Sequence, residues 1–336
     1  MDNLVFIVTG AAGHLGSCVV QQLLREGRRV RALVLPGEAC PGFIKENRHL
    51  LREYAGNVCD IQSLEPLFGQ DETSDLIVVH CAGIVTITKK EDSRVYDVNV
   101  GGTSNVIEMC KRARVKRLTY VSSVHAIPPL PIGRVIREVA SFRADAVHGY
   151  YDKTKAEATQ LVLNAVDDSL DAVVVHPSGI IGPHGLPTGN MAQLISRFVH
   201  GKLTAAVNGG YDFVDVRDVA DGIIAASMKG RRGECYILSN RFVEFREMFT
   251  ILARLGAPKK LKVYLPLWVA KAVAPFAELY YRMTHITPLF TRYSLQTLSA
   301  NGMYSHDKAS RDLGYKVRPL KDTLADTIRW IKGNHR

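Results

Sequence analysis

The sequence predicts an α/β fold: a doubly wound parallel sheet with a smaller, discontinuous C-terminal lobe. Two observations carry that expectation. Short apolar runs at 4–8, 30–35, 50–54, 75–80, 117–122 and 171–176 read as strands, with helix-length segments between them. Such alternation builds βαβ units, whose strands lie parallel and whose crossovers are right-handed. The second observation is the glycine spacing in Thr9-Gly10-Ala11-Ala12-Gly13-His14-Leu15-Gly16, set between the apolar run Leu4–Val8 and the helical run Ser17–Leu24.

That loop has a chemical reading. One glycine permits a tight turn, one lets a pyrophosphate approach the backbone, and one lets helix and strand pack closely. The helix then turns its unpaired N–H groups and the positive end of its dipole toward the diphosphate. Thr9, Gly10, Ala12, Gly13, His14, Leu15 and Gly16 are therefore candidate cofactor-binding residues. In an open sheet of this kind the ligand lies at the carboxyl ends of the strands.

The second strand run, 30–35, ends at Leu35-Pro36. An acidic residue there would bind ribose hydroxyls and repel a 2′-phosphate, whereas an arginine would welcome the phosphate. Leu35 and Pro36 do neither. With Lys45, Arg48 and Arg52 downstream, the sequence leans toward NADP or dual use with NAD.

The run 117–122 leads into Ser122-Ser123, hydroxyls at the end of a strand. Residues 126–148, with Pro128, Pro129 and Pro131, read as a long loop beside the site. Next comes the helical stretch Tyr150–Glu157, which places Tyr151 and Lys155 on one face, a turn apart. A free phenol has a pKa near ~10, too high for ready proton exchange at neutral pH. A neighbouring ammonium favours the phenolate and makes Tyr151 a better general acid/base. A second Tyr-x-x-x-Lys, Tyr304/Lys308, lacks a preceding serine-ended strand. His125 and His148 read first as surface or packing residues.

From about residue 180 the run Gly179–Pro187 leaves the sheet, and the chain returns over 212–238. The expected division is a dinucleotide-binding domain of 1–179 and 211–239, with a substrate lobe of 180–210 and 240–336. The segments Leu265–Ala270 and Ala274–Tyr281 are apolar and aromatic, and they suit a lipophilic pocket.

Composition narrows the classes. The chain has 336 residues, 46% hydrophobic and 23% charged, which is ordinary for a globular protein. Six cysteines, at 18, 40, 59, 81, 110 and 235, form no CxxC pair, which points to reduced thiols in the cytoplasm and to no metal site. No basic leader precedes the first apolar run. The stretch Val263–Tyr281 is broken by Pro266, Lys271, Pro275 and Glu278, a poor membrane span that leaves peripheral membrane contact open. The net charge is +10, with basic clusters at 28–31, 111–117 and 259–262. No aromatic interleaving accompanies them, so solvated faces are expected and no nucleic-acid partner.

Several short motifs stand in a fixed order: Thr9–Gly16; Cys81-Ala82-Gly83; Asn99 before Val100-Gly101-Gly102-Thr103; Ser122-Ser123; Tyr151 and Lys155; Pro177-Ser178-Gly179; Asp212–Ala220; and Asp307–Tyr315. Over nearly the whole chain this order resembles the extended branch of the short-chain dehydrogenase/reductase superfamily. Its nearest likeness is to the 3β-hydroxysteroid dehydrogenase and dihydroflavonol reductase side.

The resemblance implies a Rossmann fold and assigns roles. Tyr151 would be the acid/base, Lys155 would lower its pKa and hold the nicotinamide ribose, and Ser123 would orient the substrate oxygen. Asn57 and Val58 stand where the family often has an Asp contacting adenine. Leu35, Cys81, Ala82, Gly83, Asn99, Pro177 and Ser178 complete the cofactor-binding set. His176 stands where many members have Arg, and it receives no role. A homodimer packed through the helix bearing Tyr151 is also implied. The function this suggests is NAD(P)-dependent hydride transfer to or from a secondary alcohol or ketone of a lipophilic small molecule. The alternatives are a nucleotide-sugar epimerase or dehydratase, and a non-catalytic NAD(P)-binding sensor or complex subunit.

Overall fold

The computed structural model describes residues 4–69, 75–86, 91–185, 189–203, 205–257, 261, 263–270, 272 and 292–333. The expected features at Leu186-Pro187, in most of the basic run 259–262 and over Ala274–Tyr281 lie outside the described residues.

Six strands form where the apolar runs stand: β1 (Leu4–Thr9), β2 (Arg29–Val34), β3 (Leu51–Ala55), β4 (Asp75–His80), β5 (Arg117–Val121) and β6 (Ala172–Pro177). Helix α1 (His14–Arg25) follows β1, and α2 (Ile61–Phe68) follows β3. A helical run leads into β5, comprising α3 (Ser93–Tyr96), a π-turn (Asp97–Gly101) and α4 (Gly102–Arg112). Helix α5 (Tyr150–Asn164) precedes β6.

The chain then builds β7 (Gly179–Ile181), α6 (Asn190–Val199), β8 (Ala205–Val207), β9 (Gly210–Asp215), α7 (Val216–Lys229) and β10 (Cys235–Leu238). Strand β11 (Arg241–Glu244), α8 (Phe245–Arg254) and β12 (Val263–Leu265) follow, with later helices at Arg292–Leu298, Asp307–Leu313 and Leu320–Gly333.

Seven parallel strands make the main sheet, in the order β10-β6-β5-β4-β1-β2-β3. The order reverses between β1 and β4, which opens a crevice at their carboxyl ends. A smaller sheet has the order β11-β9-β7, and β8 pairs with β12. Thus, within the returning stretch, β9 joins the smaller sheet, while α7 and β10 rejoin the large one.

Apolar residues run continuously along the main strands because both sheet faces are covered. Successive side chains alternate between faces. Val5 and Ile7 pack with Leu64, Val106 and Val162 in one layer, whereas Phe6 and Val8 pack with Val19, Leu23 and Ile223 in the other. Among the described residues no helix is long and apolar enough to cross a membrane. All six cysteines are free thiols.

Candidate active site

The glycine turn is as tight as its spacing suggests. Gly10 has a φ of +65°, and a Cβ there would lie 2.8 Å from the Ala82 backbone nitrogen. A Cβ on Gly16 would lie 2.1 Å from the Gly10 carbonyl oxygen. Gly13 begins α1, and no side chain caps that helix. The backbone N–H groups of its first turn therefore remain as donors for an anion, and the turn fits a dinucleotide's diphosphate. Ala12 and Leu15 are half-buried beside it. The His14 ring turns toward the segment after β7, with Nε2 2.8 Å from the Pro183 carbonyl oxygen.

Thr9 faces inward. Its Oγ1 lies 2.7 Å from His80 Nδ1 and accepts from the Ala82 N–H at 3.1 Å. The other nitrogen of His80 lies 3.1 Å from Thr103 Oγ1, which donates to the Asn99 carbonyl at 2.6 Å. This buried chain stitches the ends of β1 and β4 to the helical run behind them.

Beyond β2, Leu35 is 48% exposed. Arg48 pairs with Glu53 at 2.8 Å, while Lys45 and Arg52 are exposed. After β3, Asn57 Oδ1 accepts from the Cys59 N–H at 3.0 Å. Val58 is buried, and its carbonyl accepts from Asn105 at 2.8 Å.

Cys81, Ala82 and Gly83 follow β4. Asn99, fully buried in the π-turn, holds the next residue at both ends: its Oδ1 accepts from the Ile84 N–H at 2.8 Å, and its Nδ2 donates to the Ile84 carbonyl at 3.0 Å. The same Nδ2 donates to Thr154 of α5 at 3.0 Å. A Cβ on Gly83 would lie 3.4 Å from Lys155 Nζ, so the lysine reaches the tip of β4.

Tyr151 and Lys155 share the buried face of α5. Ser122 turns away to meet Thr159 Oγ1 at 2.6 Å, which leaves Ser123 toward Tyr151. Ser123 Oγ accepts from the His125 N–H at 3.2 Å. Burial pushes the Tyr151 phenol up to about 12; the neighbouring Ser123 hydroxyl pulls it down and the Asp152 carboxylate pushes it further up. The Lys155 ammonium, expected to lower that value, donates from Nζ to the Val121 carbonyl at 2.9 Å and to the Tyr120 hydroxyl at 3.3 Å. Burial pulls Lys155 itself down to about 8.

Pro177 closes β6. Ser178 Oγ donates to Asp212 Oδ1 at 2.5 Å, toward the smaller sheet. His176, read without a role, places Nδ1 3.0 Å from the Ser123 carbonyl and stacks on Phe142 with ring centres 5.1 Å apart. His148 is exposed. Tyr304 and Lys308 share no helical face, because Tyr304 precedes the helix Asp307–Leu313 and Lys308 pairs with Glu234 at 2.5 Å.

His125 matters more than the sequence suggested. Its Nδ1 lies 3.3 Å from Asp152 Oδ1 and its Nε2 lies 2.9 Å from the Tyr211 hydroxyl. Sequence reasoning missed Asp152 and Tyr211. Asp152 was detectable as an acidic residue three positions into α5, where its Oδ2 accepts from the Gly149 N–H at 2.9 Å. Tyr211 left no local signal, since only the pairing of β9 brings it there.

Residues 6–239 match the NAD dependent epimerase/dehydratase family. The chain belongs to that family. It is accordingly an NAD-dependent enzyme of the extended short-chain dehydrogenase/reductase type. Within the family, the chain is 27% identical over 333 residues to sterol demethylase protein B of Methylococcus capsulatus, covering 97% of this chain and 98% of that one. It is 27% identical over 361 residues to 3 beta-hydroxysteroid dehydrogenase type 7 of Mus musculus, covering 99% and 96%. The crystal structure of gox2253 superimposes with a TM-score of 0.82 and 30% identity over 99% of both chains.

Proposed function

We propose that this family member transfers a hydride between a nicotinamide dinucleotide and a secondary alcohol or ketone on a lipophilic small molecule of steroid or flavonoid type. The observation that carries the reading is the buried approach of the Ser123 turn, at the carboxyl tip of β5, to the face of α5 that presents Tyr151 and, one turn along, Lys155. The sterol and steroid names of the relatives support the lipophilic substrate class.

In this reading Thr9, Gly10, Ala12, Gly13, His14, Leu15 and Gly16 hold the diphosphate. Leu35, Asn57 and Val58 line the adenosine half. Cys81, Ala82, Gly83, Asn99, Lys155, Pro177 and Ser178 line the nicotinamide half. When bound, the nicotinamide supplies or accepts the hydride. Burial holds the Tyr151 pKa high, which keeps the phenol protonated at neutral pH while making it a weaker acid than a free phenol; from that protonated form it donates to a ketone oxygen that Ser123 positions. The low exposure of both residues keeps water from competing for that oxygen.

With no carboxylate at Leu35, NADP or dual use is part of the proposal; Lys45 is an exposed cation between β2 and β3, whereas Arg52 lies in register with Arg31, four residues before Leu35. So are a cytoplasmic homodimer packed through α5, the two-lobe division, and the absence of a nucleic-acid partner.

The test is a screen of the purified protein with NADH and NADPH against steroid ketones, flavonoid ketones and nucleotide sugars, followed at the nicotinamide absorbance. A Tyr151→Phe variant should keep cofactor affinity and lose about 10²–10⁴-fold in turnover. Turnover near wild type would remove Tyr151 as proton donor. Interconversion of a nucleotide sugar without net cofactor consumption would move the reading to an epimerase. Cofactor binding with no oxidation by any carbonyl would move it to a sensor.

A further inference from the structure

His125 lies two residues after Ser123, in the short turn Val124–Ala126. Its backbone N–H donates to Ser123 Oγ at 3.2 Å. Its side chain reaches two other elements. On α5, Nδ1 lies 3.3 Å from Asp152 Oδ1, the residue after Tyr151, whose other oxygen caps the start of that helix through Gly149. On β9 of the smaller sheet, Nε2 lies 2.9 Å from the Tyr211 hydroxyl. The ring meets Tyr151 edge-on with centres 6.1 Å apart and stacks on Tyr211 at 5.8 Å. One imidazole thus touches the serine turn, the tyrosine helix and the second sheet.

The carboxylate settles the tautomer. A carboxylate only accepts, so the imidazole proton sits on Nδ1, and Nε2 accepts from the Tyr211 O–H. Tyr304 in turn meets Tyr211 edge-on, with ring centres 6.3 Å apart. The polar groups facing His125 are Ser123 from its own turn, Tyr151 and Asp152 from α5, Tyr211 from β9, and Tyr304 through Tyr211.

We propose that His125, oriented by Asp152, is the positioning residue that holds the Ser123 turn against the Tyr151 end of α5 and ties both to the smaller sheet through Tyr211. The proposal rests on the assignment of Tyr151 as proton donor. Its physical content is rigidity: the start of α5 and the end of β5 are separate elements, and this imidazole bridges them beside the reacting groups. Burial lowers the His125 pKa and the Asp152 charge works against that, so the ring is neutral at neutral pH. Acid protonates it, takes the acceptor away from Tyr211 and cancels the Asp152 charge felt by Tyr151.

The experiment compares His125→Ala, His125→Asn, Asp152→Asn and Tyr151→Phe on a ketone that the wild-type protein reduces. Each variant is characterised by kcat, KM, NADH affinity, pH profile and thermal melting. His125→Ala should lower kcat about 10- to 100-fold, with KM and NADH affinity changing less than about twofold. His125→Asn keeps a donor for Asp152 but does not titrate; it should recover most of kcat and flatten the acid limb of its pH profile. Asp152→Asn should resemble His125→Ala, and the double variant should lose no more than either one.

A wild-type kcat in His125→Ala would overturn the proposal. So would a loss confined to KM, or no recovery in a His125→Asn variant that melts with the wild type. If Tyr151→Phe keeps turnover, the hydride-transfer reading itself fails. If Tyr151→Phe is inactive while His125→Ala is normal, only the role of His125 falls.

Discussion

Tyr151, the proposed proton donor, has an acid strength set by where it is buried. Its phenol is held near 12, chiefly by loss of solvent, so ketone reduction has its donor in place at neutral pH. Alcohol oxidation needs the phenolate, which is scarce there. Reduction should therefore be level through neutral pH, falling in alkali as the phenol ionises and in acid as His125 is protonated, whereas oxidation should climb as pH rises out of the neutral range. Profiles of kcat/KM in both directions would show this, and an oxidation rate indifferent to pH would contradict it. The same scale shows what a sequence conceals. Tyr151 and Lys155 were readable as a pair from their spacing, but the partner of each was not. Lys155 places two of its three donors on Val121 and Tyr120, groups that only the packing of α5 on β5 brings to it.

Among the elements, the turn from β1 to α1 shows how a motif becomes geometry. Gly16 sits against the Gly10 carbonyl, so the helix can begin there only if no side chain intervenes. A Gly16→Ala change forces strand and helix apart. It should cost about 1–3 kcal/mol of stability and abolish measurable dinucleotide binding. Calorimetry and an NADH fluorescence titration would measure both. Gly27→Ala is the control: that residue, unlike Gly16, has a positive φ, +71°, but it faces open space, so binding should survive. The first six strands were legible to within two residues because both faces of the inner sheet are covered, which makes its strands largely apolar; the edge strand β3, Leu51–Ala55, is the exposed exception. Strand β9 was read as part of the return to the main sheet. Its residues Tyr211 to Val214 are as buried as any central strand, and burial alone does not name a partner.

The whole molecule is closed by charge across large sequence distances. Arg217, at the start of α7, pairs with Asp215 at 2.7 Å and with Asp326 of the last helix at 2.6 Å. Arg318 pairs with Asp218 at 2.6 Å. Burial pushes the Asp215 carboxyl up, but the Arg217 hydrogen bonds and charge bring it below its ordinary value. This contribution to stability is present above the unfolded carboxylate pKa and is lost as pH falls through the folded one. Arg217→Met would leave the Asp215 side chain buried and short of its main cation. It should cost about 3–5 kcal/mol, read by urea denaturation at neutral pH. An unchanged midpoint would mean that Arg318 alone compensates that carboxylate.

Along the chain, the apolar runs, the glycine spacing and the Tyr151/Lys155 interval determined the layered sheet, the crevice at its carboxyl edge and the identity of the acid/base candidate. These signals are local: strand period, helical turn and the room a missing Cβ provides all act between residues a few positions apart. Only the tertiary structure decided which serine faces the phenol, what raises and lowers that phenol's pKa, and that His125 joins Asp152 to Tyr211. Those facts depend on desolvation and on contacts between elements 27 to 86 residues apart, where neither spacing nor residue type fixes which groups will meet.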